Sequence, residues 1–135
     1  MKGSARTTVE KLMMEYFEAY NGGDYEKVAS IYYAEDAVLE FPADRIVGRK
    51  NILEYLVGVN SGGTKEILRP TNILIDGDNV AVQINSEFKF SEDAPDFFLR
   101  PAKKGDSFLA KIGVFYKIRD DKIVHITIYE FRSTT

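Results

Sequence analysis

Chemistry in this chain has to be drawn from carboxylates, phenols and amides. The sequence holds 21 acidic residues, 8 tyrosines, one histidine and no cysteine. Without cysteine there are no disulfides, no thiolate catalysis and no zinc–sulfur site. A single histidine leaves no material for a multi-histidine metal site or a histidine-based triad, so no metal and no cofactor is expected. What remains is proton transfer by carboxyl groups, assisted by hydroxyl or amide donors. Glu130 is one candidate, because strand alternation sets Ile126, Ile128 and Glu130 on one face and His125, Thr127 and Tyr129 on the other. A carboxyl group beside isoleucines in a cavity is pushed toward its neutral form and can act as acid or base. Tyr16, inside an apolar stripe, is the second, with Tyr32, Tyr33 and Tyr55 able to extend a hydroxyl network.

These groups need elements to position them. Val9, Leu12, Met13, Tyr16, Phe17 and Tyr20 recur at steps of three and four, which predicts a helix over 8–21. Thr7 with Glu10 fits a capping box at its start, and Asn21-Gly22-Gly23 a stop. Asp24 can cap a second helix over 25–34. Glu35-Asp36 reads as a solvated turn into a short strand, Ala37 to Phe41, ended by Pro42. A loop to Gly48 and a third helix over 50–59 follow, broken at Ser61-Gly62-Gly63.

The second half is strand. Lys65–Ile75, with Pro70 marking an edge or a bulge, turns through Asp76-Gly77-Asp78-Asn79 into Val80–Phe90. Ser107–Arg119 and Lys122–Arg132 pair through Asp120-Asp121. Between the middle strands lies a long link, 91–106, carrying Phe97-Phe98-Leu99; it is expected to be mobile and to approach a cavity mouth, a partner subunit or the core. Helices first and antiparallel strands afterwards predict an α+β fold with helices on one face of a curved sheet.

The 135 residues suit one domain, 1–135, with 1–6 as a loose leader. Apolar residues make 44% and charged residues 29%, with a net charge of −3 and both signs interspersed. No basic block exists to neutralise a phosphate backbone, so nucleic acid is not an expected partner. No apolar run approaches a bilayer span of about 20 residues. The amino terminus MKGSARTT lacks an apolar signal core, which predicts a cytoplasmic protein.

AYNGGD at 19–24, YAEDAVLEFP at 33–42, Gly48-Arg49 and KIVHITIYEFR at 122–132 follow one another in a familiar order. The chain resembles the SnoaL-like branch of the nuclear transport factor 2-like superfamily. The resemblance implies a cone-shaped α+β barrel: three N-terminal helices packed on a curved, mostly antiparallel sheet around a ligand pocket. It places Leu39, Phe41, Val114 and Ile128 along that pocket, and the even face of the last strand inside. For strand 80–90, simple alternation would bury Val80, Val82, Ile84, Ser86 and Phe88. The resemblance implies the reverse, with Asn85 and Glu87 in the pocket and the apolar set on a convex homodimer face centred on Ile84, Phe88, His125 and Tyr129. We adopt this second parity as the expectation.

The superfamily's known chemistries fit poorly. Tyr16 matches the tyrosine that ketosteroid isomerases pair with a protonated aspartate. However, Phe41 stands where their base should lie, and Val114 marks the strand position of the aspartate. The Asp-Arg-Asp set of limonene epoxide hydrolases falls on Glu87, Asn85 and Ile128, losing its arginine. Two readings therefore stand. One is acid–base chemistry (isomerase, dehydratase, cyclase or hydrolase type) on a compact, mostly apolar organic molecule, with Tyr16, Glu87 and Glu130 as catalytic groups and Asn85 as a ligand contact. The other is a non-catalytic ligand-binding or dimerisation module.

Overall fold

A computed structural model describes residues 2–131, with side chains described from 7 to 130. Its elements in chain order are α1 (Lys2–Gly22), α2 (Tyr25–Tyr32), β1 (Tyr33–Phe41), β2 (Asp44–Val47), α3 (Arg49–Val59), β3 (Thr64–Asp76), β4 (Asn79–Phe90), β5 (Ser107–Arg119) and β6 (Lys122–Phe131). The six strands form one sheet in the order β2-β1-β6-β5-β4-β3. Among the described residues only β1 and β6 run parallel. The end strands β2 and β3 do not meet, so the sheet is open; α1 packs against β3 and α3 against β1, covering one face. The α+β architecture is as expected.

Local chemistry explains the joints. Asp24 caps α2 by accepting a hydrogen bond from the Lys27 amide at 3.1 Å. Asp120 and Asp121 both adopt positive φ, 52° and 60°, which makes the β5–β6 turn the tight form whose twist matches the flanking strands. Pro70 lies on the edge strand β3, where the register shifts between Pro70 and Asn72, so its missing N–H costs no ladder bond in the sheet interior. Asn21, at the end of α1, works as a short surrogate strand. Its Nδ2 donates to the Leu68 carbonyl and its Oδ1 accepts from the Leu68 amide, both at 2.8 Å. That pair of bonds fixes α1 to the free edge of the sheet.

Four expectations are corrected. Helix α1 begins at Lys2, so residues 2–6 continue the helix and the Thr7/Glu10 pair lies within it. Nothing between Lys2 and Thr7 except Gly3 opposes helix formation. Glu35 and Asp36 are solvated as expected but belong to β1, in the stretch where its pairing with β6 shifts register. The loop before α3 contains a strand, β2, paired antiparallel to β1.

The fourth correction concerns β4. Val80, Val82, Ile84, Ser86 and Phe88 point inward and are buried, whereas Asn85 and Glu87 lie on the outer face. The simple alternation holds and the family parity does not. Burying the apolar set removes its surface from water, whereas the opposite parity would carry Gln83, Glu87 and Lys89 into the core without compensation. A homodimer face centred on Ile84 and Phe88 is thereby excluded.

Replacing Asn21 by alanine leaves the Leu68 N–H and C=O without protein partners. This should lower the stability to urea unfolding by about 1–3 kcal/mol. An unchanged midpoint would show that water serves Leu68 as well as Asn21 does.

Candidate functional site

Between α1, α3 and the inner face of the sheet lies a cavity of about 80 Å³. Strand alternation supplies most of its wall: Leu39 and Phe41 from β1, Ile84, Ser86 and Phe88 from β4, Val114 and Tyr116 from β5, Ile126, Ile128 and Glu130 from β6. Helix α1 contributes Tyr16 and Tyr20, and α3 contributes Tyr55 and Leu56. The wall is therefore largely apolar, with polar atoms gathered in two groups.

The first group is a carboxyl centre. Glu66, inward-facing on β3, accepts a hydrogen bond from the Tyr20 hydroxyl at 2.5 Å on Oε1 and a short one from the Ser86 hydroxyl on Oε2. Its own amide donates to Asn60 Oδ1 at 2.8 Å, and Asn60 Nδ2 donates to the Leu56 carbonyl at 2.9 Å. The end of α3 thus fixes the backbone of the residue that carries the acid. Burial pushes the Glu66 carboxyl above its ordinary value; the hydroxyls of Ser86 and Tyr20 pull it down, Glu130 pushes it up, and the net shift is upward. Desolvation of a carboxylate outweighs two neutral donors.

The second group is phenolic. The hydroxyls of Tyr16 and Tyr33 lie 2.8 Å apart, and the ring of Tyr116 packs edge to face on that of Tyr16. Burial drives all three far up from the ordinary tyrosine range, so they stay protonated and serve as donors, not bases. Two O–H groups sharing one mutual bond use only one of their two protons in it. The rings brace each other, Tyr16 with Tyr33 at 5.8 Å and with Tyr116 at 5.9 Å between centroids.

Of the residues expected from sequence, Tyr16, Leu39, Phe41, Val114, Ile128 and Glu130 line this cavity, and Tyr33 and Tyr55 join them. Asn85 and Glu87 do not. Glu87 pairs with Arg69 at 3.0 Å, contacts Lys89 at 3.9 Å and accepts from Ser107 at 3.1 Å, and the Arg69 guanidinium holds its carboxyl below the ordinary range. It is an outer-surface ion-pair residue. Asn85 lies in a shallow outer depression with Gln83 and Lys111. The sequence reading missed Glu66, Tyr20, Ser86 and Tyr116. Ser86 was the available signal, since one hydroxyl amid an inward apolar set requires a buried partner.

The 91–106 link folds back over the mouth. Ala94 and Ala102 exchange two backbone hydrogen bonds, at 2.8 and 2.9 Å. Phe97 packs on Phe88 and Phe90, with centroids at 5.0 and 4.8 Å, while Phe98 reaches the mouth, as expected, beside Phe41, Tyr55 and Glu130. His125, on the outer face as expected, lies 2.9 Å from Glu40. Among the described residues no cluster of three or more potential metal ligands occurs, and no helix is long and apolar enough to cross a membrane.

The profile of the SnoaL-like domain family matches residues 14–126. No curated protein matches the sequence. Several solved structures share the fold. A candidate polyketide cyclase from Xanthomonas campestris pv. campestris is 23% identical with a TM-score of 0.79, over 93% of this chain and 91% of that one. An LEH-like epoxide hydrolase from M. tuberculosis is 15% identical with a TM-score of 0.73, over 93% and 84%. A candidate ketosteroid isomerase from Kribbella flavida is 22% identical with a TM-score of 0.70, over 96% and 82%.

The raised carboxyl of Glu66 has a thermodynamic signature. The folded chain holds a proton that the unfolded chain releases above the ordinary value of 4.5, so stability falls as pH rises from there and levels off above the raised value. Glu66→Gln should remove this part of the decline in urea melts compared at pH 4.5 and about pH 8. Equal declines in both proteins would mean that Glu66 is solvated.

Proposed function

The chain belongs to the SnoaL-like domain family, and from that premise we propose that its cavity carries out acid–base chemistry on a compact, mostly apolar organic molecule. The observation that supports this best is Glu66, a carboxyl held by Tyr20 and Ser86 within an apolar wall that also presents the Tyr16–Tyr33–Tyr116 hydroxyls. A group shifted up from the carboxylate range exchanges protons closer to neutral pH, where a general acid–base works best. The phenols supply the complementary half. In the proposed step the Glu66 carboxylate takes a proton from a carbon next to a carbonyl. The C–H electron pair moves to give an enolate, whose oxygen receives a hydrogen bond from the phenol trio. The carboxylic acid so formed returns its proton to carbon or to a departing oxygen, the step shared by isomerase and dehydratase types. Glu130, at the mouth, acts on the ligand from the opposite side.

The test is proton exchange at carbon. Incubated in deuterium oxide with compact cyclic ketones, the protein should speed α-deuteration, followed by proton NMR. Glu66→Gln should lower the rate by about 10²–10⁴-fold. Exchange no faster than in buffer, or unaltered by the substitution, would leave a non-catalytic ligand-binding module as the better reading.

We also propose that two copies pair through the outer sheet face. Leu74, Leu109, Phe115 and Tyr129 are each more than half exposed there, at 62%, 58%, 55% and 55%. Phe115 and Tyr129 stack edge to face at 5.9 Å. Exposed aromatic and aliphatic side chains on one sheet face favour association. Light scattering at about ten micromolar should give a dimer, and Phe115→Lys a monomer with the cavity unaltered. A monomeric parent protein would contradict the pairing.

A further inference from the structure

Ser86 carries a potential nucleophile in a place where packing does not ask for one. It faces inward on β4 between Ile84 and Phe88, fully buried, in a row that is otherwise apolar. Alanine or valine there would continue the row with no polar group to satisfy. Its neighbour across on β5 is Ala110, a small side chain that lines the same cavity. The Ser86 hydroxyl donates to Glu66 Oε2, and Glu66 Oε1 accepts from the Tyr20 hydroxyl at 2.5 Å. Asn60 Oδ1 accepts the Glu66 amide at 2.8 Å and so fixes the backbone beneath the acid. Serine, carboxyl and orienting phenol are thus joined by hydrogen bonds along one cavity wall.

A hydroxyl bonded to a base that a third group orients is the arrangement of an activated nucleophile. We propose that the cavity also transfers acyl groups from compact apolar esters, with Ser86 as nucleophile and Glu66 as its base. The inference rests on the reading of Glu66 as a proton-transfer group in a small-molecule cavity and adds a second class of substrate. Ser86 Oγ forms a bond to the ester carbonyl carbon while its proton passes to Glu66 Oε2. The C=O π pair moves onto oxygen, and this oxyanion is met by the phenols of Tyr16 and Tyr33, which line the same cavity. Collapse breaks the bond to the alkoxy oxygen, which leaves as the alcohol with the proton from Glu66. Water then gives a proton to Glu66 while its oxygen attacks the acyl carbon. Ser86 Oγ departs and regains that proton. Ester and water become acid and alcohol, and both residues end as they began.

The test uses p-nitrophenyl acetate, whose acyl group is small enough for a cavity of about 80 Å³. The full chain is mixed with the ester, quenched in acid during the first turnover and mapped by peptide mass spectrometry. The expected result is a burst of nitrophenolate with an acetyl group on Ser86. Glu66→Gln should slow acetylation of Ser86 by about 10²–10⁴-fold. No acetyl at Ser86, or a rate there that Glu66→Gln leaves unaltered, overturns the inference and makes Ser86 a packing partner of Glu66 alone. The map is read on the parent protein, so it decides even if the variant does not fold. The two readings of the cavity also fail separately. Ketone deuteration without acetyl on Ser86 overturns acyl transfer only, and acetyl on Ser86 without deuteration overturns the carbon-acid step only. Absence of both overturns both.

Discussion

Keeping one carboxyl group out of water inside an apolar shell is the constraint on which this structure turns. Glu66 would be cheaper on the surface, and the molecule holds it inward with two hydroxyls and a braced backbone. Each support comes from a different element: Tyr20 from α1, Ser86 from β4, Asn60 from the end of α3. The two donors favour the carboxylate and the apolar wall favours the acid, and the wall prevails. A group balanced in this way can both take and return a proton, which a solvated glutamate at pH 7 does poorly.

The open sheet makes that balance possible. Because β2 and β3 do not pair, the space between the edges is filled by helices rather than by strand ladder. Asn21 ties α1 to β3 through the Leu68 backbone, one inward position along the strand from Glu66. The same helix carries Tyr16 and Tyr20, so the tie sets the spacing between the phenols and the acid. The β4–β5 link adds Phe98 and Leu99 to the cavity wall, while its Phe97 packs on Phe88 and Phe90.

Much of this was legible in the sequence, and what was not has physical reasons. The apolar stripe of α1 located Tyr16, and the alternation of β6 located Ile128 and Glu130, because period and burial agree in those segments. In β4 alternation alone pointed to the correct face; expecting the opposite, by resemblance, misplaced Asn85 and Glu87 and the interface with them. Glu66 was hidden because Ile67 and Leu68 are adjacent and both apolar, so the parity of β3 cannot be read locally. The strand β2 was missed because four residues carry too little alternation to be distinguished from a loop. Tyr116 needed its long-range contact with Tyr16, which no local pattern encodes.

The central claim is the state of one carboxyl group, and it can be observed directly. With carbon-13 at the glutamate side chains and Glu66→Gln to assign the signal, the Glu66 carboxyl carbon can be followed through a pH titration. The account predicts a midpoint displaced upward from 4.5. A midpoint at or below that value would show a solvated or ion-paired surface acid, and the proton-transfer centre described above would not exist.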